Sequence, residues 1–259
     1  MHTFEHGIKE SVTHSDSRFD MWIQLTTRGR IKRMAEIGVY RGEFAARLLE
    51  AVPSIERYYM IDPWRHLDDW NKPANKSNEE FERYLRDAMD RTEFAANKRQ
   101  VLRGRTLDVI EAIPDGELDF AYIDGDHTLK GIAIDLMRVY PKIRVGGWIG
   151  GDDFHVSIWQ HSPKFEPSLV FPFSVYFAEA VGAEIYALPH HQFLIEKKPE
   201  RRFSFIDLTG EYQQAGLRDQ FNPWRIFMIN AGRVFRLPTR ILRWIMRLVA
   251  ERGVGPRRV

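Results

Sequence analysis

Arg33-Met-Ala-Glu-Ile-Gly-Val-Tyr-Arg-Gly-Glu-Phe44 carries an apolar run to an acid, turns through Gly38 and Gly42, and continues into helix-forming sequence. A strand that feeds a glycine turn and then a helix brings backbone N–H groups and a positive helix end close to a ligand, because glycine has no Cβ to hold it off. The glycines are spaced G-x-x-x-G. A dinucleotide pyrophosphate asks for G-x-G-x-x-G, so the stretch predicts a nucleotide-type α/β fold without a dinucleotide fingerprint. Glu36, just before the first glycine, suits a cationic ligand with a free amino group.

Working outward, apolar segments alternate with helical ones. Strands are predicted over 33–37, 58–61, 100–103, 118–123 and 148–151. Helices are expected over 16–28 with Ser15 as its cap, after Gly42, around Phe81 to Met89, over 107–112, 129–140 and 174–181. Arg144 to Gly147 reads as a turn, and Glu184–Leu188 with Gln192–Glu196 as an antiparallel hairpin across Pro189-His-His191. Five strand–helix alternations before a hairpin give an α/β, Rossmann-like, doubly wound sheet of seven strands with an antiparallel terminal hairpin. Three regions follow: a helical cover over 1–30, a ligand-binding catalytic domain over 31–200 with 65–97 as a lid over the site, and a basic amphipathic helical extension over 201–259.

Composition narrows the chemistry. The chain has 259 residues and no cysteine, which excludes disulfide scaffolds, thiolate zinc sites and cysteine nucleophiles. No signal peptide or membrane span is read, and a cytoplasmic protein is expected. Residues 213–259 hold ten Arg and two acids, a local +8 that leaves −6 on residues 1–212 of a chain whose net charge is +2. Residues 234, 237, 241, 245, 248 and 249 form an apolar helical stripe with Arg236, Arg240, Arg243 and Arg247 around it. That pattern fits docking on a second subunit or on the chain's own body, or lying peripherally on an anionic membrane surface. Nucleic acid is disfavoured, because the stripe is too wide for a phosphate-tracking arm.

In an open parallel sheet, ligands sit beyond the carboxyl ends of the strands. Those ends carry Glu36 to Gly42, Asp62, Gly104 to Thr106, Asp124 to His127, and Asp152-Asp153. Asp62 is placed to accept both ribose hydroxyls of an adenosine, or to cap the next turn. Trp64 lies flat on an adenine or packs in the core. Asp124, Asp152 and Asp153 end two strands that are neighbours in such a sheet, and an all-oxygen trio suits Mg²⁺ or Mn²⁺. His127 reads as a proton acceptor, a metal ligand or a plain helix cap.

Glu-Ile-Gly-Val-Tyr-Arg-Gly (36–42), Ile-Asp-Pro-Trp (61–64), Ile-Asp-Gly-Asp-His-Thr (123–128) and Gly-Gly-Trp-Ile-Gly-Gly-Asp-Asp (146–153) together resemble the class I S-adenosylmethionine (SAM) dependent methyltransferases. They look most like the metal-dependent branch with the macrolide sugar, cephalosporin-hydroxylase-like and polysaccharide O-methyltransferases. The resemblance spans about residues 33–197. It implies that Glu36, Gly38, Tyr40 and Gly42 line the methionine end of SAM, that Asp62 holds the ribose, and that Arg105 and Thr106 lie on the adenine side. It also implies that Asp124, Asp152 and Asp153 bind the divalent ion, with Asp124 and His127 catalytic and His127 the base. Several relatives have Glu where this chain has the shorter Asp152. The implied reaction is methyl transfer to a hydroxyl of a saccharide, glycoside or other polyol held through vicinal oxygens. Two rivals remain: an NAD(P)-dependent sugar-modifying oxidoreductase, for which neither G-x-G-x-x-G nor a Tyr-x-x-x-Lys pair is present, and a non-catalytic membrane-associated binding protein on the same fold.

Overall fold

A computed structural model describes residues 2–13, 15–200 and 202–212, together with Phe227. The basic extension beyond Tyr212 lies outside the described residues. In chain order the elements are α1 (His2–Thr13), α2 (Arg18–Arg28), β1 (Arg33–Ile37), α3 (Glu43–Ala51), β2 (Arg57–Asp62), α4 (Asn78–Arg91), β3 (Arg99–Arg103), α5 (Thr106–Val109), β4 (Leu118–Ile123), α6 (Leu129–Val139), β5 (Ile143–Gly151), α7 (Val170–Val181), β6 (Glu184–Leu188), β7 (Gln192–Glu196) and β8 (Ser204–Asp207). They build one eight-stranded sheet in the order β3-β2-β1-β4-β5-β7-β6-β8. The first five strands are parallel, β7 runs antiparallel to β5 and β6, and β8 pairs parallel with β6.

Alternation along the strands sends successive side chains to opposite faces. Met34, Tyr58, Met60, Phe120 and Tyr122 meet α2, α3 and α4 through Trp22, Phe44, Leu48 and Phe81. Ala35, Ile37, Ile61, Ala121 and Ile123 meet α6 and α7 through Ile132, Leu136, Phe177 and Ala178. Burying both faces explains why the strands read as nearly continuous apolar runs. Trp22 is fully buried, stacked on Phe120 at a 5.1 Å centroid separation with its edge to Tyr122 at 5.4 Å.

Four expectations change. The seven-strand count becomes eight, because Ser204-Phe-Ile-Asp207 adds a strand inside the segment expected to be helical. Phe205 packs against Phe171 and Tyr212 there, and the Asp207 carboxylate closes the following turn on the N–H groups of Thr209, Gly210 and Tyr212. The turn expected at 144–147 is absorbed into β5, where Gly146 takes φ 77° and the register to β4 shifts. Helix α2 is capped by Ser17, whose Oγ accepts from Asp20 N at 3.2 Å, in place of Ser15. Helix α7 begins at Val170, because Pro172 falls in its first turn, where no backbone donor is lost.

Candidate active site

The two glycines of the opening stretch serve different ends. Gly38 takes φ 88°, and a Cβ there would stand 2.2 Å from the Asp124 carbonyl oxygen. It lets the tips of β1 and β4 close on each other. Gly42 takes φ 73°, and a Cβ would meet Ala88 Cα of α4 at 2.8 Å, so this glycine serves the packing of α3 on α4. Between them Tyr40 is also left-handed, at φ 53°. Asp62 holds that conformation. Its Oδ2 accepts from Tyr40 N at 2.8 Å and its Oδ1 from Trp64 N at 2.7 Å, while the Trp64 indole N–H donates to Tyr40 O at 2.7 Å. Burial lifts the Asp62 carboxyl to about 6 against the pull of those backbone amides.

A cleft of about 580 Å³ opens beyond the strand ends, a size typical of small-molecule sites. Gly38, Tyr40, Asp62, Arg105, Thr106, Asp124, His127 and Asp153 line it. Glu36, Gly42, Trp64 and Asp152 are not on its wall. Glu36 points to the α2–α3 face, where it accepts from Tyr58 OH at 2.7 Å, and burial pushes its carboxyl well above the usual range against that hydroxyl. Trp64 is fully buried and belongs to the core. Thr106 Oγ1 donates to Asp135 Oδ1 at 2.5 Å, and burial lifts the Asp135 carboxyl to about 7.

Residues 65–74 pass over the cleft, whereas α4, later in the expected lid, is a core helix. The strap is tied down on both flanks. Asp69 pairs with Arg105 at 2.7 Å and Lys130 at 3.3 Å, and Trp70 Nε1 donates to Asp126 Oδ1 at 3.0 Å. Lys72, buried, donates through Nζ to Glu166 O at 2.8 Å and Ser168 Oγ at 3.0 Å.

Two of the three aspartates, Asp124 and Asp153, come together on His127, while Asp152 is linked to Asp124 only through Arg18. His127 Nδ1 donates to Asp153 Oδ2, and its Nε2 stands 3.4 Å from Asp124 Oδ1 without a hydrogen-bond partner. Burial favours the neutral ring, yet the pull of Asp124 and Asp153 outweighs it and lifts His127 to about 10. Burial alone would raise Asp153, but His127 holds it down at about 2. His127 does not cap α6. Thr128 does, its side chain accepting from Gly131 N at 3.1 Å.

Sequence reasoning passed over two residues here. Arg18, on the first turn of α2, pairs through one guanidinium nitrogen with Asp152 Oδ2 and lies 3.8 Å from Asp124 Oδ2. Gln192, fully buried on β7, donates to Asp152 Oδ1 at 2.6 Å and to His190 O at 2.9 Å, and accepts from Trp22 Nε1 and Tyr122 OH, both at 2.8 Å. Asp153 N also donates to Asp152 Oδ1 at 2.7 Å. In sequence the only signal was the spacing Arg18–Trp22, one helical turn apart and hence on one face.

Whether a divalent ion fits follows from these contacts. Three carboxylates brought together require positive charge, and here Arg18 and His127 supply it. Among the described residues no group of three His, Cys, Asp or Glu side chains is arranged around an ion position. The oxygen-only donor chemistry fits Mg²⁺ or Mn²⁺, but an ion reaches Asp152 only through the oxygen that Arg18 now holds.

Comparison with known proteins bears on the fold. Residues 35–154 match the model of a family described as "Methyltransferase domain". A putative caffeoyl-CoA O-methyltransferase from Staphylococcus aureus superposes with a TM-score of 0.52 at 16% identity, covering 74% of this chain and 88% of that one. The O-methyltransferase TomG of tomaymycin synthesis from Streptomyces achromogenes, solved with SAM, gives 0.50 at 15% identity over 74% and 89%. The SAH-bound methyltransferase PaMTH1 from Podospora anserina gives 0.50 at 15% over 75% and 87%. No curated protein matches the chain by sequence. No helix among the described residues is long and apolar enough to cross a membrane. The chain therefore has the Rossmann-like methyltransferase fold with an eight-stranded mixed sheet, and it is over residues 35–154 that its sequence is similar to the methyltransferase-domain family.

Proposed function

We propose that the chain is a SAM-dependent O-methyltransferase acting on a hydroxyl of a saccharide or glycoside, with Mg²⁺ or Mn²⁺ at Asp124, Asp152 and Asp153. The observation that carries the reading is the cleft itself. Gly38, Tyr40 and Asp62 line it together with Asp124 and His127, whose Nε2 has no hydrogen-bond partner. Bound SAM supplies an already activated methyl group. A divalent ion would supply charge that orients vicinal oxygens and lowers a hydroxyl's pKa.

The chain's own residues do the rest. Gly38 lets the tips of β1 and β4 close to form the floor of the cleft, and Asp62 keeps lone pairs for ribose hydroxyls beyond its bonds to Tyr40 N and Trp64 N. Thr106 and Arg105 bound the adenine side. Residues 65–74 act as a lid that excludes water and holds the partners in line. His127 Nε2 takes the acceptor's proton once the ring is neutral, with Nδ1 anchored on Asp153 to fix its orientation. An imidazolium accepts no proton, so this role requires another cation to share the charge of Asp124 and Asp153.

The test is methyl transfer from SAM to a panel of glycosides, read by mass spectrometry. His127→Ala and Asp124→Ala should each lose transfer by about 100-fold or more, with SAH affinity by calorimetry little changed. Full activity of both variants in saturating EDTA would refute the proposal.

A further inference from the structure

Asp135 belongs to the buried face of α6 and lines the cleft beside Thr106 and Gly125. Its Oδ1 accepts from Thr106 Oγ1 at 2.5 Å, the only hydrogen bond to this carboxyl among the described residues. No Lys or Arg among them pairs with it. Gly125 leaves room at the other oxygen, since a Cβ there would stand 3.3 Å from Oδ2. Burial lifts the carboxyl to about 7 against the Thr106 hydroxyl, which α5 presents to it. The charged neighbours are Asp126 and His127 of the β4–α6 loop, the first pushing with burial and the second against it. With Oδ1 occupied as an acceptor, the proton of the neutral acid belongs on Oδ2.

We infer that Asp135 reads the base of the methyl donor as a neutral acid, oriented by Thr106, that donates its Oδ2–H to a ring nitrogen of adenine. This rests on the SAM-dependent reading. A buried donor left without an acceptor is costly, so the ligand part that meets Oδ2 has to carry a lone pair. It also has to be uncharged, because the ionised form that would pair with a cation is the one that burial disfavours. Adenine answers both demands with in-plane nitrogens between apolar faces, and Ile61, Leu107 and Ile134 line the same cleft. A neutral carboxyl offers a donor and an acceptor on one planar group, as the amide does when Asn recognises adenine in DNA. A base with no lone pair at that place leaves the acid's O–H unpaired and is rejected for it.

Calorimetric titration of the full chain with SAH, beside Asp135→Asn and Asp135→Ala, tests this. Asp135→Asn puts an amide N–H where the acid's O–H stood and should match the wild type at about pH 6. Between about pH 6 and about pH 8 the wild type should weaken about tenfold relative to Asp135→Asn, whose other groups titrate alike. Asp135→Ala should bind about tenfold more weakly than the wild type at about pH 6. Deaza analogues of SAH, each with one adenine ring nitrogen replaced by C–H, identify the acceptor: one of them should lose about tenfold on the wild type and nothing further on Asp135→Ala. Equal SAH affinity of Asp135→Ala and the wild type, or a ratio of wild type to Asp135→Asn that does not fall with pH, overturns the inference and leaves the SAM reading standing. No SAH binding by the wild type at either pH overturns the SAM reading and the inference with it.

Discussion

Asp135 is a carboxyl buried on α6 beside Thr106, raised by that burial to about 7 from 3.8. The folded chain therefore keeps a proton that the unfolded chain releases. Stability from that proton is complete below about pH 4 and is lost as pH rises to about 7, at most about 4 kcal/mol. Asp135→Asn keeps the neutral shape, so its stability relative to the wild type should improve between about pH 5 and about pH 8 in urea unfolding. A difference that does not change with pH would show that Asp135 ionises freely. Residues at this scale were unevenly legible in the sequence. Asp124 and Asp153 could be placed at the cleft because strand ends fix their position, whereas Asp152, at the same strand end, lies off its wall. Glu36 could not be aimed, because nothing in the sequence places the Tyr58 hydroxyl that turns it away from the cleft. The cap role open to His127 was removed by a neighbour, Thr128.

At the scale of elements, α2 is held by Trp22, fully buried between Phe120, Tyr122 and Gln192. Trp22→Ala should destabilise the chain by about 3–5 kcal/mol. The gentler Trp22→Phe keeps the stack but frees Gln192 from its indole donor. It should cost about 1–3 kcal/mol by leaving that buried oxygen one bond short, and chemical denaturation of the two variants separates ring packing from the hydrogen bond. Strands and long helices were readable because their periodicity reflects burial on two faces. β8 was not, since four residues after the charged run Lys197 to Arg202 offer too short a pattern, and its pairing depends on an edge that only the folded hairpin of β6 and β7 presents. Arg18 escaped for the same reason, as the helix that aims it is oriented by contacts 98 to 170 residues away in the chain.

For the molecule as a whole, the cleft lies under a strap fastened to both flanks, by Asp69 and Trp70 on one side and Lys72 on the other. Burial depresses the Lys72 ammonium while the charges of Asp126 and Asp153 oppose this, so the latch is a cation bonded to neutral oxygens across two loops. Lys72→Met should release SAH several-fold faster in stopped-flow measurements while leaving the melting temperature nearly unchanged. Unaltered release would mean that the strap does not control exit. The largely parallel sheet was foreshadowed by five strand–helix alternations, whereas its strand order was not. The fastening of the strap was not, because it joins two irregular loops with no periodicity to read.

Gln192 has one orientation, since each hydrogen-bonding position of its amide is taken, and the partner that fixes it comes from the far end of the chain. A nascent polypeptide still on the ribosome, even with the glycine turn and all three acids already made, lacks the strand that squares up Asp152. Asp152 thus takes its final orientation late in synthesis, only after the hairpin of β6 and β7 has been made.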